Sequence, residues 1–412
     1  MTGHLRSWFA GKRVFVTGHT GFKGAWLSLW LQDMGANVAG YALDPEAHSL
    51  FESAQVAKGM TSTTADIRDQ AQLQKAITAF EPEIVFHLAA QSIVRRSYVE
   101  PCATFEVNVV GTANLLQSIR HAASVKSAVI VTSDKCYENA DLGGLFREED
   151  AMGGSDPYSA SKGCAELVTT SFVRGYFSGE SAPKVASVRA GNVIGGGDWA
   201  QDRLIPDLMR SATQSRAVEI RRPDAIRPWQ FVLEPLRGYL EVARRLAERG
   251  REFCGAWNFG PSETDMTPVR DVVACVRAEW PAVRAEFAAE PSGPDEAHLL
   301  KLDCSKAAER LNWRPALNLA QAVQGVAYEL CVAEGTPVPV PHRSGKLATI
   351  QDLEGLYGHL ERAAIESRFL DPAANSRLRE RWKRLFSRLD IEREEVNILR
   401  GLLNALQKPK DR

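Results

Sequence analysis

The chain has 412 residues, 44% of them hydrophobic and 25% charged, with a formal net charge of -1. That length supports two or three domains around a substantial core, and the balanced charge excludes whole-chain attraction to nucleic acid or to an acidic membrane surface. The seven cysteines lack CxxC spacing and the eight histidines form no HxxxH or HExxH pattern, no secretory leader is recognisable, and no apolar run approaches the ~20 residues of a membrane span, so the composition predicts a cytoplasmic protein with free thiols, no metal site and no membrane contact.

In chain order, residues 12–17 form a β-rich run followed by Gly18-His-Thr-Gly-Phe-Lys-Gly24, then an amphipathic stretch Ala25–Met34 and a second β run, Asn37–Leu43. This is the β–Gly loop–α–β pattern of a mononucleotide-binding unit. The alternation continues with helix over Asp69–Phe80, strand over Ile84–Leu88, a long helix over Ala103–Ala123, strand over Ser127–Val131, helix over Tyr158–Phe177 and strand over Val185–Arg189. Apolar strands alternating with helices imply an α/β fold, a Rossmann-type doubly wound parallel sheet covered on both faces. Beyond Gly195 the pattern turns irregular and rich in Pro and Arg, returning to helix at Leu233–Arg249. The expected organisation is a dinucleotide-binding domain over 1–194 with return segments near 228–260. A smaller interleaved substrate domain follows over 195–335, then a Pro-rich linker over 336–349 and a helical C-terminal extension over 350–412.

A GxxGxxG loop between strand and helix lets backbone approach a pyrophosphate at the helix N-terminus, which makes Gly18, Gly21 and Gly24 cofactor candidates. His19 and Lys23 in the same loop are further candidates for phosphate contact, a loop-shaping role for His19 being the competing reading. Asp44, after the second strand, and Asp66 are candidates for the adenosine end, each also readable as a turn residue. Positions 42–46 contain no Arg to meet a 2′-phosphate, which favours NAD over NADP.

The densest chemistry lies in Thr132-Ser-Asp-Lys135 and Tyr158-Ser-Ala-Ser-Lys162. A YxxxK pair on a helix puts phenol and ammonium on one face, and the cation is expected to lower the phenol pKa toward working pH so that Tyr158 can take a proton from a sugar hydroxyl. Two base-capable centres and one acid exceed the needs of a simple alcohol oxidation.

These segments resemble the extended short-chain dehydrogenase/reductase family and, within it, the CDP-glucose 4,6-dehydratases, over roughly residues 8–335. The likeness rests on Thr17–Gly24, Phe86-His-Leu-Ala-Ala-Gln91, Thr132–Tyr137, Asp156–Lys162, Arg189–Trp199, Asp202–Pro206 and Arg227-Pro-Trp-Gln230; Phe231 stands where that family more often has His. The resemblance implies a CDP-sugar substrate and an internal NAD redox cycle. Tyr158, Lys162 and Thr132 would act at sugar carbon 4, Lys135 as the base at carbon 5 and Asp134 as the acid at carbon 6. It implies cofactor contacts by Phe22, Ile67, Leu88, Ala89 and Ala90 besides those named above, and substrate contacts by Asn192, Arg203, Leu204, Arg222 and Arg227. It also implies a homodimer built on the helices that begin near Ala103 and Tyr158. A 4-epimerase, a dehydratase of another nucleotide sugar, and an idle nucleotide-sugar or RNA-binding scaffold are the alternatives.

The tail reads as helix over Ile350–Gln407, with an apolar stripe at Leu378, Trp382, Leu385, Phe386 and Leu389 and an N-cap at Asp390. Phe369-Leu-Asp-Pro372 and Glu395–Gly401 resemble the helical C-terminal extension of SPOUT-class RNA ribose methyltransferases. A packing or assembly role is favoured over RNA contact, because the surplus of cations is modest.

Overall fold

The computed structural model describes residues 3–139, 144–214, 216–261, 267–288, 300–316, 348–366, 396–397 and 400. It divides into two compact units, Met1–Ala333 and Glu334–Arg412. The described strands of the first unit are β1 (Arg13–Thr17), β2 (Asn37–Ala42), β3 (Thr61–Thr64), β4 (Ile84–His87), β5 (Ser127–Val131), β6 (Lys184–Ala190), β7 (Val193–Ile194), β8 (Val218–Ile220), β9 (Ile226–Arg227), β10 (Gln230–Phe231), β11 (Gly255–Phe259), β12 (Thr267–Pro268) and β13 (Ala285–Phe287). Its helices include α1 (Gly3–Phe9), α2 (Phe22–Asp33), α3 (Leu50–Ser53), α4 (Gln70–Phe80), α5 (Val94–Val99), α6 (Pro101–Phe105), α7 (Gly111–Arg120), α8 (Pro157–Gly175), α9 (Leu204–Gln214), α10 (Leu233–Arg249), α11 (Val269–Glu279) and α12 (Ser305–Leu311).

Seven strands form one all-parallel sheet in the order β11-β6-β5-β4-β1-β2-β3. The doubly wound parallel sheet expected from the sequence is present, in the common dinucleotide-binding strand order extended by one strand. Every residue of β4 and β5 is buried, which accounts for runs such as Ala128-Val-Ile-Val131 that are apolar on both faces. One face packs on α1, α2, α10 and α12 through Phe9, Leu27, Leu240 and Trp313; the other packs on α4 and α7 through Leu73, Ile77, Leu115 and Ile119. A smaller core joins α9 to α11 through Leu208, Met209, Val272 and Val276, with Trp229 against it.

Two details differ from the sequence reading. The helix expected over Ala103–Ala123 is α6 and α7 joined by a π-helical turn, Glu106–Val110. Within that turn Asn108 is buried, accepts from the Gln91 N–H at 2.8 Å, and donates to the Ser161 hydroxyl of α8 at 2.9 Å. The second detail is a buried polar pin at the end of β4. Thr112 gives its hydroxyl hydrogen to the Asn108 carbonyl at 2.7 Å, so His87 Nε2 must be the donor in its 3.0 Å contact with Thr112. Nδ1 then accepts from Thr17 at 2.7 Å, and Thr17 Oγ1 in turn receives the N–H groups of Leu88 and Ala89 at 3.2 Å each. Burial drives His87 down to about 3, so the pin is neutral and fixes the ends of β1 and β4 beneath the glycine loop.

The second unit contains the helix Ile350–Glu366, entered by a capping box in which Thr349 Oγ1 accepts from the Asp352 N–H at 3.2 Å and the Asp352 carboxylate accepts from the Thr349 N–H at 3.0 Å. Leu356, Tyr357 and Ala364 on it are buried. The linker Pro337–Pro341, the stripe at Leu378–Leu389 and the Asp390 cap lie outside the described residues.

Candidate active site

Above the carboxyl ends of β1, β4, β5 and β6 opens a cleft of about 640 Å³. The glycine loop forms one end. Gly18 has φ of +73°, and a Cβ there would meet the Ala89 nitrogen at 2.6 Å; one at Gly24 would collide with the Gly18 carbonyl oxygen. Only glycine lets these backbones close up. The N-cap of α2 is Gly21, whose lack of a capping side chain leaves the first-turn N–H groups open toward the cleft. Phe22, Lys23, Asp44, Asp66, Ile67, Leu88, Ala89 and Ala90 line the same end. Glycines that a Cβ would jam, a helix N-terminus and carboxylates beyond β2 and β3 fit a dinucleotide.

His19 is the exception among the loop candidates. Its side chain is fully buried and turned away from the cleft, packed edge-on against Phe51 at 5.2 Å with Nε2 at 2.7 Å from the Ser62 hydroxyl. A Cβ at Gly40 would collide with the ring. Burial pulls it down to about 4, leaving a neutral imidazole that shapes the loop. Of the two readings, the loop-shaping one fits the placement of the side chain. Asp66 faces the cleft with its carboxyl gripped by the Arg68 guanidinium at 2.7 Å, and that bond holds it below the ordinary Asp range.

At the centre of the cleft lie Thr132, Ser133, Asp134, Lys135, Tyr158 and Lys162. Asp156 caps α8 by accepting the Ser159 N–H at 2.9 Å, and Pro157 occupies its first turn. From that start Tyr158, Lys162 and Glu166 fall on one buried face. Lys162 Nζ lies 6.0 Å from the Tyr158 ring centroid. Burial pushes Tyr158 up to about 12, against a lowering hydrogen bond from Ser133, and pushes Lys162 down to about 8. The lowered phenol pKa expected from the YxxxK spacing is therefore overturned in the protein alone. Desolvation is the largest influence on each of the two groups.

The Thr132 hydroxyl is also used differently from expectation. It donates at 2.5 Å to Glu166 Oε1, inside a buried cluster where Arg189 forks onto both Glu166 oxygens at 3.0 and 2.8 Å and Ser187 adds a bond at 2.7 Å. Burial raises Glu166, but these donors together hold it below the usual carboxylate range. The hydroxyl beside the phenol belongs to Ser133, which donates to Asp134 Oδ1 at 3.0 Å and caps the single 3-10 turn Asp134–Cys136. Asp134 is 4% exposed. Burial raises it above the ordinary Asp range, although Lys135, Ser133, Lys23 and Arg227 all favour its ionised form. Its Oδ2 has no partner. A Cβ at Gly191 would sit 2.9 Å from that atom and collide with Pro228 Cγ, so Gly191 makes room for the carboxyl. Lys23, half-buried at the glycine-loop end of the cleft, is pushed down to about 8 by desolvation.

The far end of the cleft is lined by Asn192, Arg203, Leu204, Arg222 and Arg227, with Ile205, Pro206, Ile220 and Arg221 among them. Arg203 donates to Asp198 at 2.9 Å and to Ser92 at 3.0 Å, two partners that sequence reading did not identify. No described helix is long and apolar enough to cross a membrane.

Comparison with known proteins places this cleft in a family. The model of the family described as GDP-mannose 4,6 dehydratase matches residues 15–326. The CDP-glucose 4,6-dehydratase of Salmonella typhimurium is 50% identical over 323 residues, covering 77% of this chain and 90% of that protein. A crystal structure of dTDP-glucose 4,6-dehydratase from Bacillus anthracis in complex with NAD superposes with a TM-score of 0.66 at 18% identity, over 79% of this chain and 98% of the other, a likeness of fold. The tail matches separately: the model of the C-terminal domain of tRNA methyltransferase TrmJ covers residues 351–412. The tRNA (cytidine/uridine-2'-O-)-methyltransferase TrmJ of Pectobacterium atrosepticum is 38% identical over 102 residues, 23% of this chain and 41% of that protein. Both resemblances read from the sequence are thus borne out. With a family model spanning most of its length and a homologous dehydratase aligned along the same region, the chain belongs to the GDP-mannose 4,6 dehydratase family.

Proposed function

We propose that the chain is an NAD-dependent CDP-glucose 4,6-dehydratase, a hydro-lyase that converts CDP-glucose to CDP-4-dehydro-6-deoxy-glucose and water. The observation that carries the reading is the convergence of Ser133, Asp134, Lys135, Tyr158 and Lys162 on one cleft with the glycine loop, in a chain half identical to a CDP-glucose 4,6-dehydratase. When bound, NAD supplies the acceptor for the hydride leaving carbon 4 and the donor of the hydride arriving at carbon 6, and in its oxidised form brings a positive ring to the cleft.

The chain's own residues handle the protons. Tyr158 takes the proton of the carbon 4 hydroxyl, with Ser133 and the Lys162 ammonium supporting the phenolate. The 4-ketone acidifies carbon 5, whose proton passes to Lys135. Asp134, raised by burial, gives its proton to the carbon 6 hydroxyl as the C–O bond breaks. The departing water carries the carbon 6 oxygen with its hydrogen and the Asp134 proton. The proton taken from the carbon 4 hydroxyl by Tyr158 balances that loss, and Lys135 returns its proton to carbon 5 as the hydride arrives at carbon 6. Ser133, beside the phenol and 3.0 Å from Asp134 Oδ1, is placed to pass the Tyr158 proton on. Each acid or base step contributes on the order of 10²–10⁴-fold.

Arg203 and Arg227 suit the diphosphate, Asn192, Leu204 and Arg222 complete the nucleotide end, and residues 195–335 are the substrate domain of this reading. A homodimer is supported by the exposed apolar side chains Val110 of the π-helical turn and Leu167 of α8, 49% and 60% accessible. Incubation with CDP-, dTDP-, GDP- and UDP-glucose, followed by the alkaline ultraviolet absorbance of 4-keto-6-deoxy sugars, tests the nucleotide. Turnover of CDP-glucose is expected, and turnover of another nucleotide sugar alone would overturn the assignment.

A further inference from the structure

The turn that carries Asp134 and Lys135 is bracketed by two side chains that meet one buried guanidinium. Before the turn, Thr132 donates to Glu166 of α8, onto which Arg189 forks. After it, the Tyr137 hydroxyl accepts from Arg189 Nη1 at 2.7 Å, and the same nitrogen donates to the Glu148 carbonyl at 3.0 Å. Arg189 of β6 thus links both ends of the turn to the helix that presents Tyr158 and Lys162. Its side chain and that of Glu166 are both buried.

The two ends are held unequally. The Thr132 N–H bonds the Val188 carbonyl at 3.0 Å, so the sheet keeps that end in place whatever its hydroxyl does. Tyr137 lies past the strand. Its backbone neighbours pair with a loop, the Cys136 carbonyl accepting from the Gly153 N–H and the Glu138 N–H donating to the Ala151 carbonyl, both at 2.9 Å. The phenol is what reaches the sheet. Arg189 and Asn258 are register partners on the adjacent strands β6 and β11, and the hydroxyl bonds both. Asn258 Nδ2 donates to the Phe146 and Asp303 carbonyls at 2.9 and 3.2 Å, which leaves Oδ1 to accept from the phenol. Tyr137 therefore gives its one hydrogen to Asn258 at 2.7 Å and receives one from Arg189. Its ring stacks on Phe146 at 4.8 Å, and it does not line the cleft. A phenol committed in this way exchanges no proton with the sugar; it fixes a position.

We propose that Tyr137 is a positioning residue: held by Arg189 and Asn258, it sets the turn so that Asp134 and Lys135 face the sugar in the steps that follow oxidation. The inference rests on the reading of those two residues as acid and base. Tyr158 is anchored separately, because Asp156 caps α8 and the Ser97 hydroxyl accepts the Tyr158 N–H at 3.1 Å. Loosening Tyr137 therefore displaces the carbon 5 and carbon 6 chemistry and leaves the carbon 4 oxidation in register. Small misplacements of a reacting group are costly, up to about 10²-fold for 1 Å.

The test is single-turnover kinetics of the full chain with NAD and CDP-glucose, read by the near-ultraviolet absorbance of bound NADH, which rises on oxidation at carbon 4 and falls on reduction at carbon 6. Tyr137→Phe keeps the ring on Phe146 and removes both hydroxyl bonds. NADH should form within about 2-fold of the wild-type rate and decay about 10-fold more slowly. Ser187→Ala weakens the same buried cluster at Glu166 and keeps the Tyr137 bonds; it should lower stability with both rates near wild type. A merely structural Tyr137 would give the Ser187→Ala result in Tyr137→Phe as well, and that outcome overturns the proposal. Equal slowing of formation and decay in Tyr137→Phe, or a slowed decay in Ser187→Ala, overturns it too. Asp134→Asn tests the reading beneath it, since NADH should form and persist. If it does so while Tyr137→Phe decays like wild type, the positioning role is overturned and the acid reading stands. Wild-type decay in Asp134→Asn overturns the acid reading itself.

Discussion

Thr132 and Ser133 are neighbours carrying the same functional group, and the structure gives them opposite tasks. Thr132→Val keeps the shape and removes one donor to a buried carboxylate at 2.5 Å. A hydrogen bond to a charged group contributes ~1.5–3 kcal/mol. Because Glu166 keeps the Arg189 fork and Ser187, a loss of about 2 kcal/mol in stability is expected, with turnover changed less than ~3-fold. Ser133→Ala removes the hydroxyl that touches Asp134 and lies beside Tyr158. Turnover should fall about 10²-fold, and stability should change by less than ~1 kcal/mol. Guanidinium titration and initial rates with CDP-glucose measure both quantities on each variant. If Thr132→Val lost activity at full stability while Ser133→Ala stayed active, the assignment of the two hydroxyls would be refuted.

Gly191→Ala would put a methyl 2.9 Å from Asp134 Oδ2 and into collision with Pro228 Cγ. It should cut product formation by at least about 10-fold with NAD binding preserved, and isothermal titration against NAD checks the second half; an active variant would show that the carboxyl is not held there. His87, at about 3 in the fold against 6.5 ordinarily, stays neutral while its unfolded counterpart gains a proton. Stability should therefore be lost as pH falls from about 6.5 toward 3, by up to ~1.4 kcal/mol per unit from this group. Denaturation of wild type and His87→Gln at several pH values should show a shallower acid slope in the variant, and parallel slopes would contradict the neutral pin. Leu167→Arg should convert a dimer to monomers in sedimentation velocity; a wild-type sedimentation profile would move the interface elsewhere.

The Rossmann half was legible because its signals are local. β1 and β5 are apolar runs bounded by polar or glycine-rich turns, and α8 is announced by Asp156-Pro157 before its first apolar face. What stayed hidden depends on where side chains turn. Past the end of β5 the chain enters a 3-10 turn, and strand alternation sends Thr132 and Ser133 to opposite sides. Sequence spacing cannot say which of the two faces the phenol. His19 sits in a loop by sequence, yet the left-handed Gly18 and the bare Gly40 admit its ring beneath the sheet. The YxxxK spacing places phenol and ammonium on one face but does not convey the burial that shifts both. The paired two-residue strands around the smaller core are too short to read by periodicity.

The central claim is a closed cycle in which hydrogen leaves carbon 4 and returns at carbon 6 of the same sugar. CDP-glucose carrying deuterium on carbon 4, incubated with the chain and NAD, tests it directly by NMR and mass spectrometry of the product. The account predicts a 4-keto-6-deoxy product with that deuterium in its carbon 6 methyl group. A product whose carbon 6 lacks the label, or a 4-epimer in place of a 4-keto sugar, would contradict it.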